Sequence, residues 1–230
     1  WGDKLEKPST YNPLDFFQTG FNTMNSIAVS TGTETNQTHI SFGAVNSEGI
    51  IDNNKYNRYN FTFRNSWDIV KNVLSMDMGL FYIKQNNQNS NGQGMYYNPL
   101  VPIYLFPPSD DINKYAVYER YDADRNFKTQ YWPYGNQGLG MQNPYWIINR
   151  NMFNTDRDRY IISLSMKWNI TNWLNIIGRA RVDNAYTDFE RKLYASTDGL
   201  FSKSQGNYMT QEDKNTATYL CLLYTSPSPR

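Results

Sequence analysis

The chain is expected to be all-β, and three observations in its 230 residues predict this class. Apolar and polar residues alternate with period two in several segments, the signature of strands with one apolar face. Several of these segments are about ten residues long. That is close to the ~9–11 a tilted strand needs to cross a bilayer and longer than the ~5–6 usual in globular domains. Short and long connections also alternate along the chain, as in an up-and-down membrane barrel with tight turns at one rim and long loops at the other. A sandwich or jelly roll has no reason to keep that parity over six connections. The expected architecture is therefore a partial antiparallel up-and-down transmembrane β-barrel, about six to seven strands of a larger barrel, with long extracellular loops.

The first strands are expected at 26–31 and 38–45, joined by a short turn at 32–36. A longer connection at 46–57 leads to the clearest early alternation, with Tyr59, Phe61 and Phe63 on one face and Asn60, Thr62 and Arg64 on the other. A short gap at 66–72 precedes a strand at 74–84. Next comes a connection of about 70 residues (86–156), a length that ordinarily counts against the strands around it. It carries Pro99, Pro102, Pro107 and Pro108, then a Tyr/Asp/Asn-rich stretch, then Pro144-Tyr145-Trp146. It is expected to fold as a cap over a barrel mouth, with an inserted soluble subdomain as the alternative. No helix with convincing caps and apolar periodicity stands out, although 112–120 is a candidate for a short one.

Beyond it, Tyr160, Ile162, Leu164, Met166 and Trp168 alternate with Ile161, Ser163, Ser165, Lys167 and Asn169. After a turn at 169–172, Leu174, Ile176, Gly178, Ala180 and Val182 alternate with Asn175, Ile177, Arg179, Arg181 and Asp183. A loop of roughly 30 residues from 185 onward and a seventh strand starting near 216 complete the series. Trp67, Trp168 and Trp173 fall at strand ends, where an interfacial aromatic girdle belongs.

Composition fits this reading without selecting it. The formal net charge of +1 argues against a nucleic-acid partner, which demands a basic footprint. Aromatic residues make up 16% and mean hydropathy is −0.72, with no apolar run near the ~20 residues of a membrane helix. The lone Cys221 excludes an internal disulfide framework and a multi-cysteine metal site. The chain begins at Trp1 without an initiator Met or signal peptide, so its natural start is expected upstream. The segment 221–230, CLLYTSPSPR, resembles a translated sequencing-adaptor tail and is set apart from residues 1–220, with a Ser/Pro-rich terminus as the alternative.

Particular strings carry a family resemblance. They are Asp15-Phe16-Phe17-Gln18-Thr19-Gly20, Asn25-Ser26-Ile27-Ala28-Val29-Ser30 with Thr31-Gly32-Thr33-Glu34, and Ser41-Phe42-Gly43-Ala44-Val45-Asn46-Ser47-Glu48-Gly49-Ile50-Ile51 running into Tyr56-Asn57-Arg58-Tyr59-Asn60-Phe61. Asn143-Pro144-Tyr145-Trp146, Asn149-Arg150-Asn151 and Ile170-Thr171-Asn172-Trp173-Leu174 belong to the same set. Over residues 12–220 the chain resembles the SusC/RagA family of TonB-dependent outer-membrane proteins. The resemblance implies part of a 22-stranded barrel. It also implies a plug and TonB box upstream of this segment, a SusD-like surface lipoprotein as partner, and import of oligosaccharides or peptides driven through TonB. The location it implies is the outer membrane of a Bacteroidetes-like bacterium, in contact with outer-membrane lipid. An ordinary siderophore receptor and a soluble, secreted β-sandwich that binds or cleaves glycans are the rival readings.

No catalytic residue, cofactor or metal site is expected. His39 is the only histidine, and neither a Ser-His-Asp set nor a histidine metal site can be built around it with the partners present. Asp110-Asp111, Asp122 with Asp124, and Asp156 with Asp158 read as solvated loop charges, not as a glycosidase pair or a calcium loop. Lys167, Arg179, Arg181 and Asp183 share the polar strand face and are expected to face a lumen. Tyr131, Trp132, Tyr134, Tyr145 and Trp146 are the candidates for substrate or partner contact, because flat rings with a polar handle suit wet recognition surfaces. Packing among the loops is the alternative for them.

Overall fold

The computed structural model describes residues 10–90, 96–135, 141–202 and 205–225. Seven long strands form one antiparallel sheet: β1 (Phe21–Gly32), β2 (Asn36–Glu48), β3 (Lys55–Val70), β4 (Leu74–Gln88), β7 (Asn151–Asn169), β8 (Asn175–Leu193) and β9 (Asn207–Thr225). Their order in the sheet, β1-β2-β3-β4-β7-β8-β9, is the order of the chain, so every neighbour is reached by an up-and-down connection. β1 and β9 are the two open edges, and the sheet is a section of wall and not a closed barrel.

All seven predicted strands are present, and most are longer than the alternation suggested, reaching 19 residues in β7, β8 and β9. The connections shrink accordingly to 33–35, 49–54, 71–73, 89–150, 170–174 and 194–206, keeping the alternation of short and long. The last loop, expected at roughly 30 residues, is less than half that length. The reason is chemical. Past Tyr59, Tyr82 and Tyr160 the formerly apolar face turns polar, with Asn46, Asn57, Asn86, Asp156 and Asp188 in register across β2, β3, β4, β7 and β8. Amide pairs hold the ladder there: Asn46 donates to Asn57 at 2.7 Å and Asn86 to Asp156 at 2.8 Å. Asp156 and Asp158 are therefore strand residues, not loop charges. β9 begins at Asn207, earlier than expected, and pairs with β8 through Thr225; residues 226–230 of the set-apart tail lie outside the described residues.

The pairing fixes two faces. On one, Ile40, Phe63, Leu80, Ile162 and Val182 form a row across β2 to β8, flanked by the row Phe42, Phe61, Tyr82 and Tyr160. Phe42 and Tyr59 stack at 6.5 Å. Side chains on this face are largely uncovered: Ile162 is 47% exposed and Trp168 51%. Trp67, Trp168 and Tyr224 end the face at the short-turn rim, with Trp173 in the adjoining turn.

The long connection 89–150 is a folded cap. It contains β5 (Glu119–Asp122) paired with β6 (Phe127–Gln130), α1 (Leu100–Tyr104), a 3-10 turn at Ile112–Tyr115 and α2 (Pro144–Arg150), while α3 (Gly199–Ser202) lies in the 194–206 loop. Only the first part of the expected 112–120 helix forms. α2 is a helix that the sequence reading passed over: Asn143 caps it by accepting the Tyr145 amide at 2.9 Å, and Pro144 takes the first position, where a missing N–H costs nothing. Among the described residues the buried apolar core lies in this cap, in the 49–54 connection and at the end of β8, including Ile103, Phe106, Trp146, Ile147, Ile51 and Leu193.

Asparagines tie the cap to the strands. Asn53 and Asn89 adopt positive φ (62° and 50°), which Asn tolerates better than most residues. Asn53 Nδ2 donates to the Ile148 carbonyl and to Asn149, and Asn89 Nδ2 to the Asn53 carbonyl. The amide of Phe153 in turn donates to Asn89 Oδ1 at 2.8 Å. Irregular backbone between strands and cap is thereby satisfied by short amides, which helps account for the many Asn residues in this part of the chain.

Candidate functional site

The second face of the sheet carries the charged candidates. Register places Lys167, Arg179, Arg181 and Asp183 on this one face, opposite Tyr160, Ile162, Leu164, Met166 and Trp168. Asp183 is held by Arg159, whose Nε and Nη2 donate to its two oxygens at 2.8 and 2.6 Å. Arg181 adds a weaker contact at 3.3 Å. A fork of this kind on a planar carboxylate is the geometry arginine is built for. Arg159 itself was absent from the sequence candidates, because it lies before the apolar alternation begins.

One row on this face runs His39, Arg64, Gly79, Ser163, Arg181. The two middle positions are small, and a Cβ on Gly79 would come within 2.7 Å of Ser163 Oγ. The result is an open recess of about 410 Å³, lined among others by Arg64, Asp77, Ser163, Ser165, Arg179 and Arg181. Arg64 leans over the Phe81 ring at 5.0 Å. His39 is bridged to Ser30 at 2.8 Å.

The aromatic candidates converge in the cap. Tyr131, Trp132, Tyr134 and Tyr145 pack against a core of Ile103, Phe106, Ile112 and Tyr115. Trp132 and Tyr134 are 5.3 Å apart edge to face, and Arg120 sits 3.3 Å above the Tyr131 ring. These four rings stay half-buried, with part of each open to solvent. Trp146 differs. It is 1% exposed and its Nε1 donates to Thr197 at 3.1 Å, so the expectation of substrate contact is corrected for this residue: it is core.

Two polar centres hold the cap, and the sequence reading gave neither of them that role. Asn143 is fully buried; its Nδ2 donates to the carbonyls of Tyr115 and Tyr131 at 2.8 and 2.9 Å, while its own amide donates to Gln130 at 2.6 Å. The Asn-Pro pair at 143–144 is a readable cap-and-first-position signal. Asp110 accepts from Lys114 at 2.8 Å, from the Tyr115 hydroxyl at 2.5 Å and from the Tyr134 hydroxyl at 2.7 Å. The Lys114 hydrogen bond, followed by the two phenols, holds its carboxyl well below the usual range, and the same contact with Asp110 pushes the Tyr115 phenol up. Glu119, lowered chiefly by Arg150, links β5 to the end of α2 through a 2.9 Å pair. Nothing in the sequence pairs residues 31 apart with different neighbours. Tyr11 anchors the N-terminal segment to the cap through a hydroxyl bond to the Ile103 carbonyl, and burial pushes its phenol up to about 12.

No family model and no curated protein sequence matches this chain. Solved structures do. The RagAB peptide importer in its closed-closed state aligns with a TM-score of 0.70 at 15% identity, covering 95% of this chain and 24% of that one. Its open-open state gives 0.69 at 16% identity, with the same coverage. A further RagAB peptide transporter structure gives 0.65 at 15%, over 88% of this chain and 22% of that one. The chain thus spans about a quarter of the length of the chains it matches, and over that part it shares their fold.

Proposed function

We propose that this chain is a section of the barrel wall of an outer-membrane importer, with the apolar face toward lipid and the polar face toward the lumen. The reading rests on one observation above the others. The face that is apolar and uncovered is bounded by two aromatic rows, Tyr59, Tyr82 and Tyr160 at one level and Trp67 and Trp168 at the other. Tyr160 and Trp168 are eight residues apart, about 26 Å along a strand at ~3.3 Å per residue, and roughly 20 Å in height at a tilt of ~40°. That approaches the ~25 Å apolar band of such barrels, and aromatic girdles mark its two edges. A patch of this size on a water-soluble protein would be an aggregation surface.

The cap then sits at the extracellular mouth, and cargo passes along the face that carries Arg64, Lys167, Arg179, Arg181 and Asp183. Tyr131, Trp132, Tyr134 and Tyr145 remain the contact candidates for cargo or for a SusD-like lipoprotein closing over the mouth. TonB would act through a region outside this segment. Peptide is favoured as cargo over oligosaccharide by the fold shared with a peptide importer. A sandwich requires a second sheet packed on the first, and among the described residues the other sheet is only the β5–β6 pair.

The test is deletion of the gene in its host, followed by uptake of labelled oligopeptides and of labelled maltooligosaccharides. Loss of peptide uptake, restored by the wild-type gene, is expected. Unchanged uptake of both, with the protein in the soluble fraction, would overturn the reading.

A further inference from the structure

Charge is distributed unequally between the two faces of the sheet. On the polar face the cations are Arg58, Arg64, Arg157, Arg159, Lys167, Arg179, Arg181 and Arg191, and the anions are Asp68, Asp77, Asp183 and Asp213. Asp183 is the single member of the second group that forms an ion pair on this face among the described residues. The other face carries its charges only from the level of Tyr59 outward, as in Lys84, Asp158 and Glu212.

The excess is concentrated at the recess around Gly79. Arg64 from β3 and Arg179 and Arg181 from β8 border it, against Asp77 alone, and Asp77 already accepts the Ser66 hydroxyl at 2.6 Å. The Arg179 guanidinium has no hydrogen-bond or ion-pair partner among the described residues, and the Ser165 hydroxyl beside it has none either. Among the described residues the Arg64 guanidinium is held only by the Phe81 ring. The small residues Gly79 and Ser163 leave the floor low, so the guanidinium groups on either side overhang one volume. Planar forks with free donors, flanked by hydroxyls, match a carboxylate better than a neutral amide.

We propose that this recess is a carboxylate-binding station and that the cargo is acidic peptide, its Asp or Glu side chains or terminal carboxylate seated between Arg64, Arg179 and Arg181. The assignment rests on the importer reading above. In a lumen with restricted water, Arg64 and Arg179, which form no ion pair among the described residues, attract anions over a longer range than on an open surface and repel lysine-rich peptide. Arg181 keeps donors beyond its single 3.3 Å contact with Asp183.

The full-length protein carrying this segment, purified from outer membranes, is titrated with hexaglutamate, hexaglutamine, hexalysine and hexagalacturonate. Hexaglutamate is expected to bind about tenfold or more tighter than hexaglutamine, with hexalysine weakest, and to weaken as salt rises. In R179Q, and separately in R64Q/R181Q, the preference for hexaglutamate over hexaglutamine shrinks by about tenfold while the affinity for hexaglutamine and the thermal midpoint stay at wild-type values. Equal binding of hexaglutamate and hexaglutamine by the wild type, or an unchanged preference in both variants, overturns the station. Binding of hexagalacturonate in preference to hexaglutamate overturns the peptide assignment. These failures leave the importer reading standing; it falls separately if the protein is not recovered in the outer-membrane fraction from which the preparation starts.

Discussion

The sheet and the cap solve opposite problems with the same chain. In the cap, apolar side chains turn inward: Ile103 is 0% exposed and Trp146 1%, around buried polar residues such as Asn143. In the sheet they turn outward, and the backbone ladder with its cross-strand pairs supplies the order that a core supplies elsewhere. The cap is therefore organised as water-soluble domains are, and the sheet, on the importer reading proposed above, as a structure whose apolar solvent lies outside it. The difference teaches that burial is measured against the right solvent. The exposed Ile162 and Leu164 are anomalies in water and ordinary residues in lipid.

Five substitutions sharpen that contrast. Trp146→Ala should cost the cap about 3–5 kcal/mol, the usual loss for a large buried ring. Hydrogen exchange at α2 would rise while the sheet amides hold; equal loosening of both would mean that cap and sheet are one cooperative unit. Leu164→Arg should cost about 2–4 kcal/mol in a bilayer if this position lies near its midplane. The same change at Ser163, on the other face, should cost far less, and equal costs would break the two-face account.

Asp110→Asn should loosen the cap by about 1.5–3 kcal/mol, since a charged acceptor shared by one ammonium and two phenols is lost. The same group gives a pH dependence. Its carboxyl is depressed below its ordinary value of 3.8 in the folded cap, so its contribution is complete above that pH and fades as pH falls further. Proteolysis of the 89–150 segment at pH 6 and below pH 3 would show it, and Asp110→Asn should flatten that component. Lys55→Ala removes a pair with Glu48 at 3.0 Å whose side chains are 45% and 54% exposed. It should change stability by less than about 1 kcal/mol in a denaturation experiment.

Legibility in the sequence follows the same division. Where strands alternate one apolar face against one polar face, as at 160–168, the residues name their own structure and even their orientation. Where the strands leave that band, Asn86, Asn154 and Asp156 continue the ladder with polar pairs on both sides, and alternation has nothing to report. The cap is legible only in pieces. Asn143-Pro144 announces a helix start in two residues, yet the convergence of Asp110 with Tyr134, 24 positions away, depends on tertiary packing that no local pattern encodes. Among the site candidates, the shared face of Lys167, Arg179, Arg181 and Asp183 follows from period two alone. Trp146 was misread because an aromatic in a long loop looks the same in sequence whether it faces solvent or a core.

The most direct test of the two-face account is a cysteine scan of β7 in a Cys221→Ser background, with the full-length protein in bilayers. Single cysteines at 160 to 168 are labelled with an environment-sensitive dye and quenched by brominated lipid and, separately, by an aqueous quencher. The account predicts a period-two pattern, with 160, 162, 164, 166 and 168 quenched by lipid and 161, 163, 165 and 167 reached from water. Aqueous quenching at every position, or no alternation, would contradict it.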